Sequence, residues 1–284
     1  MPKLGAHLAT AGGWHRALEA AMDLDCQAVQ IFLQPPGRWA PLPENPQAVA
    51  LFREALAASG LHGAVFAHAP YLVNLASADP ELGERSAVLV AHQLVLAQRL
   101  GLAGVVVHPG SAGRESRQEA VARLRRRLAE VFARAAVDTP LLLENTAGAG
   151  GLLGVTVKEL LELAEPSWWQ EERMGLCLDT AHLWAAGYDL RREGFRQAWF
   201  ELDEAGLSRA LKLVHINDTP VPLGSRRDRH AAPGAGELGE GFFTELLGDT
   251  VLADVACIME IPPGPKNQNV RQALHRLRSW LSTP

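Results

Sequence analysis

One rhythm constrains this chain more than any other feature. Short apolar runs occupy residues 3–8, 28–33, 63–67, 104–107, 140–143, 174–178, 211–214 and 255–259, and their starts lie 25 to 44 residues apart. Most of the intervening sequence has helical periodicity, as at 14–22, 46–58, 84–100, 117–136 and 270–281. Start and stop signals frame several of these pieces: Pro46 opens one helix, Gly60 ends it, and Gly101 ends another. Near-continuous apolar runs fit strands covered on both faces, which is the setting of a parallel sheet. Eight strand–helix units predict an α/β architecture closed into a single (β/α)8 TIM barrel, with its active site at the C-terminal rim of the strands. An open doubly wound sheet is disfavoured, because Gly5-Ala6-His7-Leu8-Ala9-Thr10-Ala11-Gly12-Gly13 after the first strand lacks GxGxxG. The chain has 284 residues, 48% of them apolar, and no linker or composition shift divides it, so 1–284 is read as one domain.

The residue that ends each run carries the chemistry. The third run ends in His68, the fourth in His108, the fifth in Glu144, the sixth in Asp179, the seventh in His215 and the eighth in Glu260. On a barrel these six side chains converge on one rim. A lone histidine after a strand is usually a satisfied core or surface residue; six ligand-type residues at six successive strand ends form a pattern. Buried carboxylates such as Glu144 and Glu260 also need a cation, whether a metal or an arginine. Three further candidates lie close behind: His182, three residues after Asp179, and the Asp-x-His pair Asp228 and His230. That pair sits in a polar loop over 217–241, long enough to predict function rather than connection. Five imidazoles and four carboxylates exceed what one ion uses and suit two or three. So many imidazoles favour Zn²⁺ over magnesium, with Mn²⁺ or iron left open at one position. His15, His62, His92 and His275 read as helix or surface residues, and His7, ending the first strand, as an outer support for the ligands. Cys26, Cys177 and Cys257 form no CxxC pair and read as small buried hydrophobes.

These residues resemble the bacterial endonuclease IV family, the zinc-dependent apurinic/apyrimidinic endonucleases. The likeness lies in Gly5-Ala6-His7 with Gly12-Gly13, in His68 with Tyr71-Leu72 and Asn74-Leu75, and in His108-Pro109-Gly110-Ser111. It continues through Glu144-Asn145-Thr146-Ala147-Gly148, Leu178-Asp179-Thr180-x-His182 and Ala186-Gly187-Tyr188-Asp189. It ends in His215-x-Asn217-Asp218, Gly224-Ser225-x-x-Asp228-Arg229-His230 and Glu260. The resemblance implies three zinc ions per chain. Glu144 would bridge two of them, with His68 and His108 at the first, Asp179, His215 and Glu260 at the second, and His182, Asp228 and His230 at the third. It also implies that Tyr71 touches DNA. Two departures stand out. Gly234-Ala235-Gly236 replaces a usual Gly-Glu-Gly, and Gln34-Pro35-Pro36-Gly37-Arg38-Trp39 keeps the tryptophan of a DNA-probing loop but carries its arginine one position later.

A centre of this kind suits hydrolysis of a phosphodiester, because bound metal lowers the pKa of water towards about 7. Glu144 and Glu260 are the expected catalytic carboxylates. By resemblance the cut falls 5′ of abasic sites in duplex DNA and leaves a 3′-hydroxyl, with removal of 3′ blocking groups as a companion activity in DNA repair. The net charge of −5 looks wrong for a DNA partner, yet three Zn²⁺ bring the loaded chain to +1. Arg38, Trp39, Arg226, Arg227 and Arg229 lie in predicted rim loops, where they are expected to meet the DNA. The cluster Arg123-Leu124-Arg125-Arg126-Arg127 sits within a predicted helix and reads as a solvated outer face. No leader-like segment opens the chain and no stretch approaches the ~18 apolar residues of a membrane span, so a cytoplasmic protein is expected, and the resemblance implies a monomer. Two other readings stay open: a sugar isomerase or epimerase on a similar barrel, and a zinc-containing damage-binding protein without turnover. The first uses fewer ligands and leaves His182, Asp228 and His230 without a task.

Overall fold

A computed structural model describes residues 1–43 and 45–281. Its eight strands are β1 (Lys3–His7), β2 (Ala28–Phe32), β3 (Val65–His68), β4 (Gly104–Val107), β5 (Leu141–Glu144), β6 (Met174–Asp179), β7 (Leu211–His215) and β8 (Ala256–Met259). All pair in parallel and in chain order, and β1 pairs with β8 to close the barrel. The helices are α1 (Trp14–Asp23), α2 (Pro46–Ser59), α3 (Pro80–Leu100), α4 (Arg117–Ala135), α5 (Val157–Glu162), α6 (Pro166–Gln170), α7 (Thr180–Ala186), α8 (Gly194–Glu204), α9 (Gly239–Gly248) and α10 (Gln268–Leu281). Among the described residues no helix is long and apolar enough to cross a membrane.

Every expected strand is present, and the helix limits differ for local reasons. The third helix begins at Pro80 rather than at 84, because the Asp79 side chain caps Glu81 and Leu82 and Pro80 occupies the first turn. Asn45 caps α2 by accepting from Ala48, and Ser116 caps α4 by accepting from Glu119.

Strand alternation positions the site. Ala28, Phe66, Val106, Leu142, Cys177, Leu213 and Ile258 form a buried cluster that fills the barrel. Successive side chains along a strand alternate between faces. The inward residue two places above each of these is therefore Gln30, His68, His108, Glu144, Asp179, His215 or Glu260. The top layer of the barrel interior is thus polar, and the layer beneath it is closed by hydrocarbon and one thiol. Leu, Val, Ala, Ile and Met residues on the opposite strand faces pack against the helices in a second, larger cluster.

The arginine cluster of α4 is not a solvated face. Arg127 is buried, and its Nη1 donates to Leu75 O at 2.9 Å and to Ser77 O at 2.6 Å. Arg123 Nε donates to Ala76 O at 3.1 Å, and its guanidinium pairs with Glu115 at 2.7 Å. Gly83 makes room for Arg127, since a Cβ there would collide with the guanidinium. Two arginines one helical turn apart thus hold three consecutive carbonyls of the loop between β3 and α3. Of this run, Arg126 is the one that stands exposed.

Candidate metal centre

All nine residues singled out in the sequence gather at the C-terminal rim. Glu144, fully buried at the end of β5, lies at the middle. Its Oε2 is 3.0 Å from His68 Nε2 and 3.5 Å from His108 Nε2, and its Oε1 is 3.0 Å from His215 Nδ1 and 3.4 Å from His182 Nδ1. His215 Nδ1 also lies 3.3 Å from Glu260 Oε2 and 3.8 Å from Asp179 Oδ2. Asp228 Oδ2 is 3.3 Å from His182 Nε2, and its Oδ1 is 3.4 Å from His230 Nε2. Among the groups whose potential ligand atoms lie within 4.8 Å of one another, three are made of the nine rim residues alone: His68, His108 and Glu144; Glu144, Asp179, His215 and Glu260; and Asp179, His182 and His230. The third differs from the set implied by resemblance. Asp179 closes it, while Asp228 stands at its solvent side with 59% of its side chain exposed.

The geometry tests whether these residues fit a metal. His182 Nδ1 lies 3.0 Å from Asn145 O, so that nitrogen donates and, in the neutral ring, Nε2 carries the lone pair. His182 Nε2 and His230 Nε2 are both buried without a hydrogen-bond partner, although Asp228 is near each. Two imidazole nitrogens and a carboxylate face one another with no hydrogen bond joining them, which is the donor set a cation satisfies. His68 repeats the pattern: Nδ1 lies 2.7 Å from Ala69 O, which turns the Nε2 lone pair towards Glu144.

Without metal the groups strain against one another. Burial opposes the charge on Glu144, yet the imidazoles around it, His108 and His215 foremost, hold its carboxyl well below the usual range. Burial likewise opposes protonation of His182, but Asp179, Asp228 and Glu144 together raise it well above an ordinary imidazole. His215 is raised in the same way against its burial, with Cys177, Glu260 and Glu144 as the partners. The ring of His182 draws Asp228 down to about 2.

Residues outside the nine hold them in place. Asp179 N donates to Asn145 Oδ1 at 2.6 Å, and Asn217 Nδ2 donates to Asp179 Oδ2 at 2.7 Å. Glu260 N donates to Asn217 Oδ1 at 2.7 Å. Gln30, fully buried on β2, touches both Glu260 and His215. Asp218, also fully buried, accepts from the backbone N–H groups of Thr219, Gly236, Leu238 and Gly239 and folds the loop that carries Asp228 and His230. Ala235, at the departure from Gly-Glu-Gly, lies in that stapled segment. His7 also joins the edge of the centre, 3.6 Å from Glu260 Oε1. Cys177 is closer to the centre than a plain core residue: its sulfur lies within 4.8 Å of ligand-type atoms of Glu144 and His215, and burial pushes its thiol up to about 12. Cys26 and Cys257 are buried, as expected.

The DNA-contact candidates surround this centre unevenly. Tyr71 is 67% exposed, with its ring edge-on to Phe32 at 5.4 Å and 5.8 Å from the His68 ring. Arg226, Arg227 and Arg229 are exposed, and Arg226 takes a left-handed backbone, φ 54°. Arg38 is exposed and its Nε is bound to Ala40 O at 3.0 Å. Trp39 is half-buried with the Arg85 guanidinium 4.5 Å over its ring, an intramolecular cation–π contact.

Residues 18–280 match the family described as "Xylose isomerase-like TIM barrel". A relative named "Probable endonuclease 4" from Nitratidesulfovibrio vulgaris (strain DP4) is 37% identical over 280 residues, covering 98% of each chain. The chain belongs to the endonuclease IV family. The crystal structure of endonuclease IV from Thermus thermophilus superposes with a TM-score of 0.86 at 37% identity, covering 99% of each chain. A D-tagatose 3-epimerase-like protein superposes at 0.73 with 20% identity, a likeness of fold alone. Endonuclease IV proteins and sugar epimerases therefore share the barrel, and the rim has to distinguish them.

Proposed function

We propose that this chain is a zinc-dependent apurinic/apyrimidinic endonuclease. It hydrolyses the phosphodiester 5′ of an abasic site in duplex DNA and leaves a 3′-hydroxyl. The observation that carries the reading is the third ligand group. His182 and His230, with Asp228 at their solvent side, extend the centre beyond the two groups around Glu144 and give it more donors than one ion uses.

In this reading His68, His108 and Glu144 would hold a first ion, Glu144, Asp179, His215 and Glu260 a second, and His182, His230, Asp228 and Asp179 a third. Five imidazoles select zinc, with manganese or iron as an alternative at one position. Bound ions of this kind activate water at neutral pH and offset charge on the phosphate oxygens. The remaining work falls to the chain itself. Glu260 is fixed at its own N–H by Asn217 and is partly open to solvent, so it orients the attacking water together with Glu144. The water oxygen bonds to phosphorus, and the bond to the 3′ oxygen of the preceding nucleotide breaks. The products are a 3′-hydroxyl and a 5′-phosphate on the abasic sugar. The same attack on a phosphodiester at a blocked 3′ end removes the blocking group.

Tyr71, exposed and standing against Phe32, offers a ring to the helix where a base is missing. Arg226 and Arg229 bind backbone phosphates from the loop beside Asp228, and Arg38 does so from across the barrel. Trp39 serves this function indirectly, by packing the loop that carries Arg38 onto Arg85.

The test is incision of a duplex carrying one tetrahydrofuran abasic analogue, comparing wild type with Glu260→Gln. Wild type is expected to nick the damaged strand 5′ of the analogue and leave an end that a polymerase extends. Glu260→Gln is expected to lose at least about 100-fold in rate, the order seen for loss of one stabilising group. A loaded wild type that binds the duplex and leaves it intact marks a damage-binding protein instead.

A further inference from the structure

Gln30 has no ligand chemistry, yet its carboxamide touches three groups of the centre. Its Nε2 donates to Glu260 Oε1 at 2.7 Å and lies 2.9 Å from His7 Nδ1, and its Oε1 lies 2.8 Å from His215 Nε2. A primary amide carries two N–H donors on nitrogen and an acceptor on oxygen. An ionised Glu260 only accepts, so the NH₂ end must face it and the orientation of the amide is settled by chemistry.

The same amide fixes both histidine tautomers. His7 Nδ1 faces the second N–H and must accept, so His7 carries its proton on Nε2. His215 Nε2 faces the amide oxygen and must donate, so in the neutral ring that binds a metal the lone pair is on Nδ1. That nitrogen lies 3.0 Å from Glu144 Oε1, 3.3 Å from Glu260 Oε2 and 3.8 Å from Asp179 Oδ2, inside the group of four ligands. With Oε1 of Glu260 occupied by the amide, Oε2 is the oxygen left facing the same point.

The geometry points to Gln30 as a positioning residue of the metal centre. One carboxamide selects Nδ1 of His215 as its metal-binding atom, reserves Oε2 of Glu260 for the same ion, and sets the proton of His7. The proposal rests on reading the nine rim residues as a metal centre. No other side chain of this size does all three tasks. Methionine fills the space but leaves His215 Nε2–H buried without an acceptor, and glutamate sets a second carboxylate against Glu260.

The experiment titrates zinc into metal-free wild type and Gln30→Met in competition with a chromophoric chelator, and follows the melting temperature of both metal-free proteins. Removing the partner of a metal-bound histidine costs about 10- to 100-fold in metal affinity. The expected result is that loss in one zinc equivalent, with the other equivalents unchanged. Equal uptake by both proteins overturns the proposal. So does an even weakening of every equivalent that tracks a fall in metal-free melting temperature, because that marks a packing role. If Gln30→Met does not fold, ¹⁵N-histidine spectra of zinc-loaded wild type decide: zinc on His215 Nδ1 with a proton on Nε2 supports the assignment, and zinc on Nε2 overturns it. A wild type that takes up no zinc removes the metal reading and this proposal with it. Uptake by wild type with no change in the variant removes this proposal alone.

Discussion

Replacing Arg127 by methionine keeps the aliphatic stem and deletes the donors that hold the rim loop behind Tyr71. In the native chain Arg127 Nη1 donates to Leu75 O and Ser77 O, at 2.9 and 2.6 Å, in a place from which water is excluded. A hydrogen bond from a charged donor contributes about 1.5–3 kcal/mol, and a buried carbonyl left unpaired adds its own desolvation cost. Both bonds leave one nitrogen and do not add fully, so the expected loss is about 2–4 kcal/mol. A chain of this length unfolds with an entropy of about 0.6 kcal/mol/K, so the melting temperature should fall by about 3–7 °C. Urea unfolding followed by circular dichroism on the metal-loaded protein measures the first quantity, and a thermal scan the second. Arg126→Met, on the exposed side of the same helix, is the matched control and should change stability by less than about 0.5 kcal/mol. Limited proteolysis should also cut the variant within 70–78 sooner than wild type. A loss within about 0.5 kcal/mol for Arg127→Met, equal to the control, would refute the clamp.

Asp218→Ala strips the acceptor from four backbone N–H groups and should cost at least about 3 kcal/mol while lowering bound metal by one equivalent; unchanged stability and metal content, read by denaturation and elemental analysis, would sink it. Gly110→Ala forces a side chain onto a backbone at φ 102° and drives its Cβ into Asn74 Oδ1, which accepts from Ser111 N, so a loss of about 1–3 kcal/mol is expected on denaturant unfolding. Metal uptake should release protons at pH 7. His182 and His215 are held above the ordinary imidazole value in the metal-free chain, whereas Glu144 and Glu260 are held below theirs and have none to give. The raised imidazoles contribute stability to the metal-free protein below about pH 6.5, and it fades as pH rises through their folded values. Zinc affinity should therefore climb with pH over that window. Calorimetry in buffers of different ionisation enthalpy checks this, and a heat independent of buffer would contradict it.

The barrel and the gathering of the nine rim residues were legible because both depend on local pattern. An apolar run ending in a ligand-type side chain reports a strand and its inward top residue at once, as at His68, Glu144 and His215. Gln30 escaped because it lies inside its run rather than at the end, and because glutamine is not a ligand. The two-residue step from Ala28, applied as for the other strands, would have found it. Arg127 escaped for the opposite reason: three neighbouring arginines made the segment look solvated, although 127 shares a helical face with Leu124, Leu128 and Val131. The place of Asp179 in the third ligand group depends on how α7 leaves β6, with Asp179 as cap to His182 N at 2.8 Å, and no spacing rule encodes that. Neither does spacing reveal that Trp39 is engaged by Arg85.

The proposed activity is cutting of the backbone at abasic sites by a polynuclear metal centre. Its most direct test is to strip the protein with chelator, add zinc in steps, and track incision of the tetrahydrofuran duplex against equivalents added. The stripped protein should make no incision, and activity should rise to a plateau near three equivalents, with cutting only 5′ of the analogue. Saturation at a single equivalent, or a fully loaded protein that leaves the strand whole, would contradict the claim.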